Sequence, residues 1–189
     1  MKRSLLFVAL LALSGVVSAH DHDGPGRDID KVNGRITAEA GQTYGDLSTV
    51  NGGIHINDGA IVQAAETVNG GIDIDDNAKV GSAEAVNGGI SVGQKVTVGD
   101  GLETVNGGIR VGFLSTIVGD VETVNGAIIV QQTEVKGQIR TINGDITVGA
   151  KSHVRKGIWL EKPKGWNWTG SKKPRIPRIV IGPDAVVDG

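Results

Sequence analysis

Apolar residues return at every sixth position along most of this chain. A spacing of six matches neither the 3.6-residue period of an amphipathic helix nor the two-residue alternation of one long strand. It predicts short strands separated by bends. One-residue insertions interrupt the series after residue 98, and the spacing then continues as far as Leu160. The uninterrupted members are Val32, Ala38, Tyr44, Val50, Ile56, Val62, Val68, Ile74, Val80, Val86, Val92 and Val98.

A motif of Val or Ile followed by Asn and Gly recurs with successive asparagines 18, 18, 18, 19, 19 and 18 residues apart. Three six-residue segments fill one such interval, so each interval predicts a three-sided coil. Stacked coils pair equivalent sides in parallel sheets about 4.8 Å apart. The sequence therefore predicts an all-β fold, a single-chain parallel β-solenoid (β-helix) of about seven coils over residues 32–160, with a partial coil over 179–189. The motif asparagines are Asn33, Asn51, Asn69, Asn87, Asn106, Asn125 and Asn143.

The fourth residue after each member of the six-residue series is also predicted to face the interior. We expect the Asn-Gly pairs to form a corner, because Gly adopts positive φ freely and Asn tolerates the left-handed region. Stacked asparagines are expected to exchange amide hydrogen bonds between coils. The additional inward residues are Ile36, Ile54, Ile72, Ile90 and Ile109 on one side, and Ala60, Ala78 and Val96 on the next.

Composition agrees with this fold and excludes several kinds of site. Thirty of the 189 residues are glycine and only 3% are aromatic, which indicates many tight turns and a core of small side chains. No cysteine is present, so disulfides, thiolate metal sites and cysteine nucleophiles are excluded. The formal net charge is −2, but basic residues outnumber acidic ones nine to one in residues 151–178. That segment is electrostatically distinct from the acidic solenoid.

Residues 1–19 have the features of a signal peptide. Lys2 supplies a positive start, residues 5–13 form a short apolar run, and small residues precede a cleavage position after Ala19. The run is shorter than the roughly 20 residues that span a membrane, so no transmembrane span is expected in the mature chain. We therefore expect an exported protein of the periplasm or cell surface, in which residues 20–31 form a flexible leader.

The repeated V-N-G-G-I units behind a signal peptide resemble bacterial adhesin-type solenoid domains of unknown function. The segment Ile181–Val187 resembles a coil of bactofilin-type polymer-forming solenoids or of hexapeptide-repeat proteins. These resemblances imply an extracytoplasmic scaffold or adhesive role, without a catalytic motif. Handedness stays open, because hexapeptide-repeat enzymes wind left-handed and bactofilin-type rods wind right-handed.

Residues 161–178 break the six-residue pattern and concentrate aromatic and basic side chains. Indoles stack on sugar rings, and cationic groups pair with phosphate or carboxylate. The segment is therefore a predicted contact surface for an anionic glycan or lipid headgroup; the alternative is that its indoles cap the open end of the rod. Nucleic acid is not an expected partner of an exported protein. The candidate residues are Trp159, Trp166, Trp168, Lys162, Lys164, Lys172, Lys173, Arg175 and Arg178.

Two further rows follow the same repeat. Stacking would align four glutamates as a column of like charges, which a solvated face tolerates and a cation or basic partner would stabilise. These are Glu66, Glu84, Glu103 and Glu122. Threonines also recur just before the motif valine, and we attribute them to β propensity rather than to an ice-binding array. These are Thr49, Thr67, Thr104, Thr123 and Thr141.

Metal and catalytic sites have weak support. The acidic run Asp73–Asp76 is interpreted as an acidic corner, because the calcium-binding nonapeptide pattern is missing. If cleavage follows Ala19, His20 and His22 with the free amine would suit Cu(II) or Ni(II); the alternative is a frayed tail. His55 and His153 are too few for a three-histidine zinc site. No cofactor is predicted.

The leading hypothesis is an exported, non-catalytic solenoid that acts as a structural, adhesive or self-assembly module. Its last coil exposes unpaired strand edges, so end-to-end pairing with a second copy is the expected interaction. The alternative is a binding module for anionic polysaccharide or envelope lipid through residues 161–178. A carbohydrate-active enzyme is the third hypothesis.

Overall fold

The computed structural model describes residues 26–161 and 177–189. The predicted signal peptide, the pair His20 and His22, and most of the basic segment lie outside these residues. The described chain is all β. Its strands are β1 (Arg27–Asn33), β2 (Ile36–Ala38), β3 (Thr43–Asn51), β4 (Ile54–Ile56), β5 (Ile61–Asn69), β6 (Ile72–Ile74), β7 (Lys79–Asn87), β8 (Ile90–Val92), β9 (Thr97–Val98), β10 (Leu102–Asn106), β11 (Ile109–Val111), β12 (Thr116–Ile117), β13 (Val121–Asn125), β14 (Ile128–Val130), β15 (Glu134–Val135), β16 (Ile139–Asn143), β17 (Ile146–Val148), β18 (His153–Val154), β19 (Ile158–Leu160), β20 (Ile179–Ile181) and β21 (Val186–Val187).

The predicted parallel β-solenoid is confirmed. Side one of the coil is an eight-stranded sheet in the order β2-β4-β6-β8-β11-β14-β17-β20. Sides two and three belong to a 13-stranded sheet. Long strands such as β5 cover both of these sides in the early coils. In later coils a bend around Gly99–Gly101, and its equivalents, divides the long strand, so β7 pairs with both β9 on side two and β10 on side three.

Equivalent residues of successive coils lie directly beside each other. Thr49 pairs with Thr67 and Asn51 with Asn69, so the motif valines between them stack as well. The step is 18 residues here and 19 residues between Thr104 and its partner in β13. Residues that pair in register between coils are therefore separated by the same number of residues as successive asparagines in the sequence.

Six side chains of each inner coil point into the rod. The predicted isoleucine row of side one, from Ile36 to Ile109, is at most 1% exposed. The predicted small residues Ala60, Ala78 and Val96 are buried as well. Full burial of an aliphatic side chain contributes about 1.5–3 kcal/mol. Because only the neighbouring coils complete that burial, the coils stabilise one another.

On side three, the prediction of which residues face inward was wrong by one position. The motif valines, such as Val50 and Val68, are only partly buried, whereas Thr49 and Thr67 are 2% and 4% exposed. Side chains alternate along a strand. This side approaches its corner with Leu47 and Thr49 inside, so Val50 points outward.

Four of the five buried motif threonines donate to backbone carbonyls at the Asn-Gly corner, whereas the buried hydroxyl of Thr141 has no hydrogen-bond partner among the described residues. The hydroxyl of Thr67 donates to the carbonyl oxygen of Gly52 at 2.8 Å, and that of Thr104 donates to Gly88 at 2.7 Å. A buried carbonyl left without a donor would destabilise the fold. The threonine row therefore has a hydrogen-bonding role that β propensity alone does not explain.

The backbone at the Asn-Gly corner also differs from the prediction. None of the motif asparagines has positive φ, and Gly34 is the only motif glycine that does. At later coils glycine is required by close approach, because a Cβ on Gly88 would overlap the carbonyl group of Gly70 in the preceding coil. Positive φ occurs instead at the corner between sides one and two. The residues that adopt it there are Gly41, Gly59, Asn77, Lys95, Leu114, Gln132, Lys151 and Asp184.

Candidate functional site

The asparagines form a continuous row along the corner between sides three and one. Each side-chain Nδ2 donates to the Oδ1 of the asparagine in the preceding coil, over 2.9–3.1 Å. All of these bonds run in one direction, from Asn143 back to Asn33. Because the amides are engaged with one another, the row stabilises the stack.

Side three presents the glutamate row outward. The parallel register places its members side by side at the sheet spacing of about 4.8 Å; they are Glu66, Glu84, Glu103 and Glu122. The next position along this row is Arg140. Four carboxyl groups therefore form one column that ends on a guanidinium group.

Burial and mutual repulsion disfavour ionisation within this row. The pKa of Glu103 is raised to about 7, first by burial and then by the negative charges of Glu84 and Glu122. The pKa of Glu66 is also raised, with burial again the largest cause and Glu84 the next. The row can therefore gain a proton close to neutral pH.

The end of the row at Arg140 is compensated by hydrogen bonds. Glu122 is 4% exposed, and its carboxylate accepts from the Arg140 guanidinium and from Gln138 Nε2, the latter at 3.3 Å. Arg140 also donates to Glu161 at 3.0 Å. A buried carboxylate requires partners of this kind. The excess negative charge therefore lies in the preceding coils.

Each of the two described histidines pairs with one carboxylate. His55 Nε2 lies 3.1 Å from an oxygen of Asp75, and His153 Nε2 lies 2.7 Å from an oxygen of Asp188. In the part of the chain that the structure describes, no three His, Asp or Glu side chains converge as a metal site would require. The two histidines lie on different sides of the rod and therefore do not belong to one site.

The acidic run of coil three does not converge either. Asp73 faces outward on side one, whereas Asp75 pairs with His55. The Oδ1 of Asp76 accepts the backbone N–H of Gln94 at 2.7 Å. The predicted acidic corner thus includes a bridge between coils.

Of the predicted aromatic and basic contact surface, Trp159 and Arg178 lie within the described residues. Trp159 is 59% exposed on side three, next to Arg140 in register. The backbone N–H of Arg178 donates to Asp145 Oδ1 at 2.9 Å, where the chain returns to side one. The remaining candidates lie outside the described residues; they are Trp166, Trp168, Lys162, Lys164, Lys172, Lys173 and Arg175.

In the last described coil, apolar residues are exposed at positions whose equivalents in the preceding coils are buried. Ile146 and Val148 are fully buried, whereas Ile179 and Ile181, which pair with them, are 40% and 53% exposed. Leu160, at the end of side three, is 42% exposed. Among the described residues, no strand pairs with the outer edges of β19, β20 and β21. Within residues 26–161 and 177–189, this end of the rod therefore presents apolar side chains together with strand edges that no described strand covers.

The solenoid begins earlier than predicted, because residues 27–31, which were expected to belong to a flexible leader, lie in β1 and pair with β3. This first described coil also differs in that a charged residue stands at an inward position. Lys31 pairs in register with Thr49 and so begins the row that continues through the buried threonines to Leu160. Its Nζ donates to the carbonyl oxygen of Arg35 at 2.7 Å. Sequence reasoning missed Lys31, although extending the threonine row back by one coil would have found it. An inward charge at a sheet edge opposes further pairing.

No family model, curated protein or solved structure matches this chain. The resemblance to adhesin-type and bactofilin-type solenoids therefore rests on the repeat, and the parallel β-solenoid is the level at which the fold is established. Residues 26–161 and 177–189 include no helix with the length and apolar character needed to cross a membrane.

Proposed function

We propose that this chain is an exported, non-catalytic structural module whose rigid rod joins a second copy through its C-terminal end. The observation that carries the proposal is the exposure of inward positions in the last described coil, at Ile179 and Ile181. Apolar side chains beside open strand edges favour pairing with another chain. A second copy supplies the same apolar residues and strand edges, so the contact would bury the exposed core residues of both copies.

The residues at the two ends disfavour head-to-tail stacking. In register, such stacking would place Lys31 of one copy against Leu160 of the next, because both belong to the same inward row. Such stacking would take the Lys31 ammonium group out of water with one carbonyl oxygen, that of Arg35, as its partner and no opposite charge, which costs several kcal/mol. A contact between two C-terminal ends avoids this cost, because the inward residues there are apolar in both copies.

A contact between identical ends is isologous and closes after two copies. The expected product is a dimeric rod rather than a filament. At the sheet spacing, two rods of about seven coils give a length of about 70 Å. A stiff rod of this length suits a structural or adhesive role at the cell envelope, because it holds attached groups at a fixed distance.

Replacing Ile181 with lysine tests this contact. We expect the wild-type chain to dimerise at micromolar concentration, and Ile181→Lys to weaken dimerisation at least tenfold, because the new charge would be buried in the interface. Sedimentation equilibrium measures the association constant.

The matched control is Val32→Lys, which adds the same charge at the opposite end, where the side chain is already 66% exposed. This variant should associate like the wild type, and circular dichroism establishes that both variants fold. The proposal fails if the wild-type chain stays monomeric over a wide concentration range. It also fails if Val32→Lys dissociates as readily as Ile181→Lys.

A second function, binding of an anionic polysaccharide or envelope lipid through residues 161–178, is supported by one described feature. The indole of Trp159 is 59% exposed, and its Nε1 donates only a long bond of 3.4 Å to the carbonyl oxygen of Lys156. An exposed indole beside basic residues suits stacking on a sugar ring.

A further inference from the structure

The corner between sides one and two changes in character along the rod. In the first three coils it is acidic, with Glu39, Asp58 and Asp76 among its residues. The next four coils contribute the segments 93–95, 112–114, 131–132 and 149–151, none of which contains an acidic residue. The second part of this corner therefore differs chemically from the first, although the backbone repeats.

Two large apolar side chains project from the second part. Phe113 is 45% exposed and Leu114 is 57% exposed. In the preceding coil, Gln94 and Lys95 hold the equivalent places, since the N–H of Lys95 donates to the carbonyl oxygen of Phe113 at 2.9 Å. Stacking of the coils therefore does not require apolar residues here.

Leu114 also has an unfavourable backbone conformation. Its φ is 60°, in the left-handed region that L-residues with bulky side chains avoid. Gly59 occupies the same corner at φ 66° without steric cost, and Asn77 belongs to a type that tolerates the region. Lys95, Gln132 and Lys151 adopt the same conformation at this corner, so the fold imposes it on whichever residue stands there. What sets this coil apart is that a large apolar side chain occupies the strained, exposed position.

Basic side chains outnumber acidic ones around this apolar pair. The acidic neighbours are Asp76, two coils before Leu114, and Glu134, which is paired with Arg155. Lys95 precedes Leu114 by one coil at the same corner, and Lys151 follows it by two coils. Arg110 stands on side one of the same coil and faces outward. The glutamate row lies on side three, across the rod from this corner. The rod is thus negatively charged on one face and apolar with a positive rim on the opposite corner.

We infer that this corner, which we call the Phe-Leu ridge (Phe113 and Leu114 with Lys95, Arg110 and Lys151), binds an anionic lipid surface. The ridge is convex, so it suits insertion between headgroups. Shallow insertion of apolar side chains combined with cationic contacts to phosphates is the usual chemistry of peripheral membrane attachment. Attachment in this way would lay the rod along the surface, with the glutamate row directed away from it.

Vesicle sedimentation tests the ridge, with phosphatidylcholine vesicles that contain phosphatidylglycerol and phosphatidylcholine vesicles alone. We expect the wild-type chain to prefer the anionic vesicles, and the preference to weaken as salt is added. The double variant Phe113→Gln, Leu114→Gly should bind them at least tenfold more weakly. Its unfolding midpoint should be no lower than that of the wild type, because glycine adopts the required φ without strain.

The matched control is Ile61→Gln, which removes another exposed apolar side chain, 42% exposed, from side two. This variant should bind vesicles like the wild type. The inference is overturned if the wild-type chain shows no preference for anionic vesicles. It is equally overturned if the double variant binds as well as the wild type, which would locate lipid binding elsewhere, or if Ile61→Gln loses as much binding as the double variant.

Discussion

Gly88→Ala is expected to lower the free energy of unfolding by more than about 3 kcal/mol. The added Cβ would overlap the carbonyl carbon and oxygen of Gly70. Both atoms belong to the backbone of the preceding coil, so no side-chain rotation can relieve the clash. The coils would have to separate at this corner, which would weaken the hydrogen bonds between them. Urea denaturation followed by circular dichroism measures the loss.

Gly59→Ala is the matched control, because it makes the same chemical change where no neighbouring coil interferes. Gly59 has a φ of +66°, and a Cβ there would meet no heavy atom within 4 Å. The expected loss is about 1 kcal/mol, from the left-handed backbone alone. Equal stability of the two alanine variants would contradict the close approach of the coils at the Asn-Gly corner.

At about pH 8, Glu103→Gln is expected to raise the free energy of unfolding by about 2 kcal/mol. Glutamine keeps the size of the side chain and removes a charge that is disfavoured first by burial and then by repulsion from Glu84 and Glu122. A pKa raised from 4.5 to about 7 corresponds at full strength to about 3 kcal/mol. Screening by water at this partly exposed side chain reduces the effect to about 2 kcal/mol. Urea denaturation of both proteins measures the difference.

The gain depends on pH in a defined direction. The folded chain holds the Glu103 proton more tightly than the unfolded chain, so the wild-type protein loses stability as the pH rises from 4.5 to about 7. Above this window the penalty is complete, and below it the wild-type and Glu103→Gln proteins should be equally stable. A gain that is the same on both sides of the window would contradict the assigned cause.

Glu134→Gln serves as a control of opposite sign. Hydrogen bonding from Arg155 lowers the pKa of Glu134, so its charge is favoured in the folded state. Removing that charge should not stabilise the protein at any pH. If Glu134→Gln stabilised the protein as much as Glu103→Gln, loss of any negative charge on the rod would be enough to stabilise it. The environment of Glu103 would then not be the cause.

The repeat predicted the architecture because every inner coil must bury the same positions. On side one, Ile36 and its successors follow the six-residue frame without exception, and a single interior row is the only place for them. The glutamate row was predictable for the same reason, since Glu66 and Glu84 stand at one repeat distance from each other. Features that recur at the coil length are thus visible in the sequence.

The orientation of side three was not visible in the sequence. Thr49 and Val50 are both β-branched and of similar size, so a hydrophobic pattern favours valine as the inward residue. The structure places threonine inside because its hydroxyl reaches a carbonyl of the preceding coil, as Thr67 does with Gly52. That contact joins residues 15 positions apart, and no local pattern reports it.

The role of the motif glycines was hidden for a related reason. Gly88 is required by the backbone of Gly70, which lies one coil away, and not by its own φ. The residues that do need left-handed backbone, such as Lys95 and Leu114, are of types that give no turn signal. The basic segment has no repeat, so its sequence predicted chemistry without geometry.

Distance measurement between spin labels on side one tests the stacked solenoid most directly. The chain has no cysteine, so two introduced cysteines are the only sites at which thiol-reactive spin labels attach. Thr37, Arg110 and Thr147 hold equivalent outward positions, four and six coil steps apart from the first. Stacked coils predict distances of about 19 Å for Thr37→Cys with Arg110→Cys, and about 29 Å for Thr37→Cys with Thr147→Cys. Distances that do not increase in proportion to the number of coils would contradict this stacking.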